Sequence, residues 1–200
     1  AGFNPVYVNE LNSDALNTYL TNRPEYKHLK LNEFHSKDIF DLTKKKLSLK
    51  TLAKNLKLKF NINRGDLSLV VGGPPCQGYS GIGHRRNYKV DKKKIPSNYL
   101  YKEMFKIIEY FNPKGFIFEN VRGLLSARWT KNGKKGEIFK DILKQFSLLK
   151  NYNYSYSLVQ SKDYGVPQNR PRILVIGIRK DINSNIDKSD FFPKKDKTYP

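Results

Sequence analysis

An α/β fold, with a mostly parallel sheet covered by helices on both faces, is predicted by three observations. Short apolar runs of strand length recur between stretches whose apolar residues fall at helical spacing. Two of those runs are apolar almost throughout, as expected of strands buried on both sides. Strand and helix signals alternate along a chain of 200 residues, a length that suits one domain with a real core.

The elements follow in order. Residues 6–8, Val-Tyr-Val, read as a short strand, and Asn12 or Ser13 can cap a helix through about Leu20. Residues 44–59 carry Leu at 47, 49, 52, 56 and 58 among lysines and predict an exposed amphipathic helix or a pair of short ones. Residues 67–71 predict a buried strand. It ends at Gly72-Gly73, which permit a tight turn and close approach of a ligand to backbone. Residues 81–97 show no clean period and hold Gly, His, Arg and four lysines; so long an irregular stretch points to function.

Residues 99–111 predict a helix with Leu100, Met104, Ile107, Ile108 and Phe111 on one face. Residues 115–119 form the next strand, apolar until Glu119. Residues 136–149 predict a helix with Ile138, Phe139, Ile142, Leu143 and Phe146 inward, and residues 154–159 and 173–178 two further strands joined by the turn-rich 163–171. Residues 1–180 therefore read as one domain, and the polar, Lys/Asp-rich 181–200 as a linker.

Thirty-eight Lys plus Arg against eighteen Asp plus Glu give a formal charge of +20, for which nucleic acid is the natural partner. A general enrichment in Lys, Asn and Tyr would produce part of the same excess. The single cysteine excludes an internal disulfide framework and a multi-cysteine zinc site. No signal peptide or apolar stretch of membrane-spanning length is present in the sequence, so it reads as cytoplasmic, without a membrane partner.

The single cysteine, Cys76, follows Pro74-Pro75 at the carboxyl end of a predicted strand. The proline rings stiffen the arm that carries the thiol, which suits a nucleophile as well as a buried turn cysteine. Glu119 is delivered by its apolar strand to the same sheet edge, a good address for an acid or base. Glu10 after the first strand and Asp38 in Ser-Lys-Asp-Ile suit the hydroxyls and amine of a nucleoside, or simply solvent. Gln168, Arg170 and Arg172 alternate, so an extended backbone would point all three to one face, where two guanidiniums require anionic or polar partners.

Residues 72–80 with Pro-Pro-Cys-Gln, Phe-Glu-Asn-Val at 118–121, and Gln-x-Arg-x-Arg at 168–172 together resemble three motifs of the cytosine-5 methyltransferases, in family order. The resemblance implies a Rossmann-like, S-adenosylmethionine-dependent domain without a metal. It also implies duplex DNA with a flipped cytosine as partner.

 
The setting that the resemblance implies is the modification half of a bacterial restriction–modification system acting at the nucleoid. Cys76 would be the nucleophile and Glu119, in protonated form, the acid on ring nitrogen 3. Arg172 would hold the carbonyl oxygen of the base, and Arg170 would brace the acid and the loop. Residues 81–98 would be the mobile catalytic loop, with Gln77, Ser80, Arg85, Arg86 and Gln168 contacting DNA. For the cofactor, the resemblance assigns Glu10 to the ribose and Asp38 to the adenine amine, with Leu11, Ile39, Pro75 and Leu100 as walls.

The family's glycine-rich first motif is expected upstream of Ala1, and its recognition domain after Pro200. The chain thus corresponds to a central catalytic portion that needs that region or a complementary chain. Ser97 stands where many members carry arginine, and Lys37 where glycine is frequent. A transfer-RNA branch shares these signatures, and an inert or split-subunit nucleic-acid-binding fragment is the reading from another class.

Overall fold

The computed structural model describes residues 2–44, 48–75, 93, 95–183 and 185–195. Two units divide the chain, residues 1–67 with 109–112, and residues 68–108 with 113–200.

In the first unit, β1 (Val8–Asn9) pairs in parallel with β2 (His35–Ser36). Helix α1 (Ser13–Thr21) starts where Asn12 accepts hydrogen bonds from the backbone of Asp14 and Ala15. Asp38 caps the short α2 (Ile39–Thr43), and Ser48 caps α3 (Leu49–Phe60). Asn61 ends α3 in the left-handed region at φ 56°, a conformation asparagine tolerates better than most residues. Leu16, Leu29, Phe34, Leu42, Leu52 and Leu56 form the buried interior of this unit. Within the predicted helical stretch, α3 accounts for its second part, and α2 precedes it.

The second unit is built on β3 (Leu69–Gly72), β4 (Gly115–Val121), β5 (Tyr152–Gln160) and β6 (Pro171–Arg179), with α4 (Tyr101–Phe111) between β3 and β4 and α5 (Glu137–Phe146) between β4 and β5. The strand order is β3-β4-β6-β5. This corrects the expectation of a mostly parallel sheet. Only β3 and β4 pair in parallel: β6 is antiparallel to both β4 and β5 along their whole lengths, so two of the three pairings are antiparallel although β5 runs in the same sense as β4. The cause lies in the connection: residues 161–170 hold a 3-10 turn, Ser161–Tyr164, and no α-helix. Without a crossover helix the chain folds straight back, and β6 inserts between β4 and β5.

Strand alternation divides β4 by face. Phe116, Phe118 and Asn120 are buried on one side, while Ile117, Glu119 and Val121 are half-buried on the other. Phe116 stacks on Phe146 of α5, and Phe118 meets the same ring edge-on. Burying a phenylalanine fully is worth roughly 1.5–3 kcal/mol, so this pair is a large part of what seats α5 on the sheet. Gly177 of β6 sits against Phe116, where a Cβ would collide with the ring. In the stretch expected as a linker, Phe191 is buried and Lys195 pairs with Asp163 at 2.7 Å.

Candidate active site

The carboxyl ends of β3 and β4 and the amino end of β6 meet at one edge of the four-stranded sheet. β3 leads through Gly72-Gly73 into Pro74-Pro75. Met104 of α4 fills the space beside Gly72, its Sδ 2.6 Å from where a Cβ would lie. Gly73 lies against the acid: a Cβ there would stand 3.1 Å from Glu119 Oε2. A side chain at this position would press on the carboxylate and have to displace it slightly, so glycine here leaves Glu119 its place.

Asn120 fastens the same two strands. It is buried, its Nδ2 donates to the Pro74 carbonyl at 3.0 Å, and its Oδ1 accepts from the Val121 N–H at 2.9 Å. An amide buried on an apolar strand must satisfy both ends, and here one end holds the proline arm. The residues beyond that arm, Cys76, Gln77, Ser80, Arg85 and Arg86, lie outside the described residues.

Arg172 stands opposite Val121 on β6, so its side chain shares a face with Glu119. Arg172 Nε pairs with Glu119 Oε1 at 2.6 Å, and Arg172 Nη1 donates to the Pro171 carbonyl at 2.9 Å. The two side chains are 23% and 38% exposed, so the pair is open enough to admit a ligand and adds orientation more than stability. Gln168 and Arg170 are exposed on residues 166–170, which turn rather than extend, with the Arg170 N–H donating to Gln168 O at 3.0 Å. The structure thus brings Arg172 onto Glu119 and leaves Gln168 and Arg170 on the turn before β6.

In the first unit, Glu10 and Asp38 stand just beyond the carboxyl ends of the parallel β1 and β2. Glu10 Oε1 accepts from the Asn12 N–H at 2.9 Å, and Asp38 Oδ1 from the Phe40 N–H at 2.9 Å. Each carboxylate is oriented by one oxygen, leaving its second oxygen for another donor. Asn9 ties the two strand ends, its Nδ2 donating to Ser36 O, Ser36 Oγ and Lys37 O. Leu11 is 71% exposed next to Glu10, and Ile39 is half-buried next to Asp38. Two oriented acceptors with an exposed apolar side chain fit an adenosine, whose ribose hydroxyls and amine donate and whose ring is apolar. In the second unit, Pro75 is exposed at the end of the arm and Leu100 is half-buried ahead of α4.

Sequence reasoning did not single out Asn120 or Asn9 as ties between strands. A polar amide inside or ending an otherwise apolar run was the available signal. Among the described residues, no helix is long and apolar enough to cross a membrane, and no group of three or more His, Cys, Asp or Glu is placed to hold a metal.

The Pro-Pro arm, the Glu119-Asn120 strand end and Arg172 on the return strand thus stand together at one sheet edge of an α/β unit, and these are the segments that resemble the cytosine-5 methyltransferase motifs. The family model for C-5 cytosine-specific DNA methylase matches residues 1–200, and the chain belongs to this family. It is 32% identical over 185 residues to the Type II methyltransferase M.BspRI of Lysinibacillus sphaericus, covering 92% of this chain and 35% of that protein. It is 34% identical over 181 residues to the Type II methyltransferase M1.HphI of Haemophilus parahaemolyticus, covering 90% of this chain and 41% of the relative. Among solved structures, an E. coli prophage protein described as a DNA modification methyltransferase superposes with a TM-score of 0.65 at 25% identity, over 96% of this chain and 45% of that one. The chain therefore spans less than half the length of each of these relatives.

Proposed function

We propose that the chain is the catalytic portion of an enzyme that methylates carbon 5 of cytosine in duplex DNA, within a bacterial restriction–modification system and working at the nucleoid. The observation that supports this reading best is the junction of Gly73-Pro74, Glu119-Asn120 and Arg172. It couples the arm preceding Cys76 to an acid and a cation on the neighbouring strands.

A Cys76 thiolate adds to carbon 6 of the flipped base, forming an S–C6 bond and moving electron density to carbon 5. Glu119, in protonated form, donates a hydrogen bond to ring nitrogen 3, where that attack increases charge, and Arg172 orients the acid while reaching towards the base carbonyl. Arg170 braces the acid and the loop, and Gln168 contacts the DNA. S-adenosylmethionine, when bound, supplies an electrophilic methyl group. Glu10 accepts from the ribose hydroxyls and Asp38 from the adenine amine, with Leu11, Ile39, Pro75 and Leu100 as apolar walls. Loss of the carbon 5 proton then returns the electron pair that expels Cys76. Gln77, Ser80, Arg85 and Arg86 contact the DNA around the flipped nucleotide.

A duplex carrying 5-fluorocytosine tests this directly, because fluorine cannot leave as a proton does and the S–C6 bond persists. A covalent adduct that depends on S-adenosylmethionine and disappears in Cys76→Ser is expected. Adduct formation by Cys76→Ser would sink the mechanism, and adduct formation on transfer RNA but not on duplex DNA would move the substrate to RNA.

A further inference from the structure

The connection between β4 and α5, residues 122–136, continues directly from Glu119, Asn120 and Val121. It carries Arg122, Arg128, Lys131, Lys134 and Lys135, all exposed. No carboxylate lies between Glu119 and Glu137. The two acids that follow are turned onto the connection itself. Glu137 Oε1 accepts from the Trp129 N–H at 2.5 Å and Oε2 from the Lys134 N–H at 3.1 Å. The Trp129 N–H is the main cause that holds the Glu137 carboxyl below the usual carboxylate range, and the charge of Lys93 also acts on it. Asp141 Oδ2 accepts from the Trp129 indole Nε1 at 2.6 Å. Trp129 is buried and stacks on Tyr99, ring centroids 4.9 Å apart and planes within 13°.

This is a pinned loop. Its neighbouring acids bind backbone and indole N–H groups, while its five cations are exposed. A loop already ordered loses little entropy when it meets a ligand. Exposed cations on the connection that leaves β4 two residues after Glu119 suit an anionic backbone running past the target base, and such contacts position a duplex without reading its sequence.

We propose that residues 122–136 form a phosphate-backbone clamp for the DNA duplex beside the target base, organised by Trp129. The proposal rests on the DNA-methyltransferase reading, and it adds a contact surface separate from the residues that perform chemistry.

The test is the affinity of the 200-residue chain for a short labelled duplex over a salt series. Three forms are compared: wild type, K131A/K134A/K135A, and K50A/K54A/K57A, which removes the same charge from exposed positions of α3. Each phosphate contact contributes about 0.9 to the log–log salt slope, so the loop variant should flatten it by about 2 to 3. The α3 variant should keep the wild-type slope, and all three should melt at the same temperature. Equal effects of the two triple variants, no effect of the loop variant, or no duplex binding by wild type would overturn the clamp. Tighter loop-dependent binding to transfer RNA than to duplex would overturn it too. Adduct formation with the 5-fluorocytosine duplex is scored on the same samples. An adduct with no loop dependence of binding rejects the clamp alone; loop-dependent binding with no adduct rejects the methyl-transfer reading alone.

Discussion

Asn120 bonds both to the Pro74 carbonyl and to the Val121 N–H, so removing its side chain takes this partner from a half-buried acceptor and a half-buried donor. Asn120→Ala should cost about 1–3 kcal/mol in urea unfolding and slow adduct formation at saturating duplex, because the proline arm loses its tie to β4. Asn120→Asp should fold more nearly like wild type yet also slow the adduct, since a carboxylate oxygen would face the Pro74 carbonyl where the amide donated. An unchanged adduct rate in Asn120→Ala would show that the two proline rings alone set the arm. Glycine matters here by what it omits. Gly73 leaves room for Glu119, and its position beside the acid could not be deduced from Gly-Gly as a turn signal.

At the scale of the element, α5 shows what a periodic pattern can tell. Ile138, Phe139, Ile142 and Phe146 were expected inward and are all buried. The cap of α1 at Asn12 was legible for a local reason too, since its bonds reach only Asp14 and Ala15. Five strands were readable to within a few residues, but β2 (His35–Ser36) was not anticipated and strand direction was not readable. An apolar run specifies a strand without specifying the sense of its neighbour, and the short 161–170 connection decided that β6 returned antiparallel. In the candidate site, Glu119 was placed by the end of its own strand, whereas the Asn120–Pro74 bond joins residues 46 apart and leaves no local mark. Trp129 belongs to the same class of long-range feature. Trp129→Phe would retain a ring beside Tyr99 but lose the indole bond to Asp141, and about 1 kcal/mol of stability should go with it. Circular dichroism during urea unfolding measures the change, and no loss would mean that the indole bond to Asp141 adds nothing to the pinning.

Across the whole molecule, two opposing effects meet at alkaline pH. A chain with a formal charge of +20 is relieved of self-repulsion as lysines lose protons, which favours the folded state. Buried tyrosines act in the other direction. Desolvation raises Tyr7, Tyr101 and Tyr152 to about 12, above the ordinary value of 10. Below pH 10 these hydroxyls are protonated in both states and stability is at its full value. Between pH 10 and 12 the unfolded chain releases the protons while the folded chain retains them, so stability falls as pH rises. Tyr101 and Tyr152, both buried in the second unit, can each contribute up to about 1.4 kcal/mol per pH unit in this window. The Tyr152 hydroxyl also donates to the Pro113 carbonyl at 2.6 Å, a bond its ionised oxygen cannot make. The share of tyrosinate absorbance that comes from Tyr152, read as the difference between wild type and Tyr152→Phe, should therefore rise together with loss of circular dichroism rather than ahead of it. Tyr152→Phe should lower stability at neutral pH, through the lost hydrogen bond, while flattening its decline above pH 10. A decline as steep as wild type would remove Tyr152 as a source of the alkaline sensitivity, and stability that rises throughout this range would show that relief of charge repulsion outweighs the buried tyrosines.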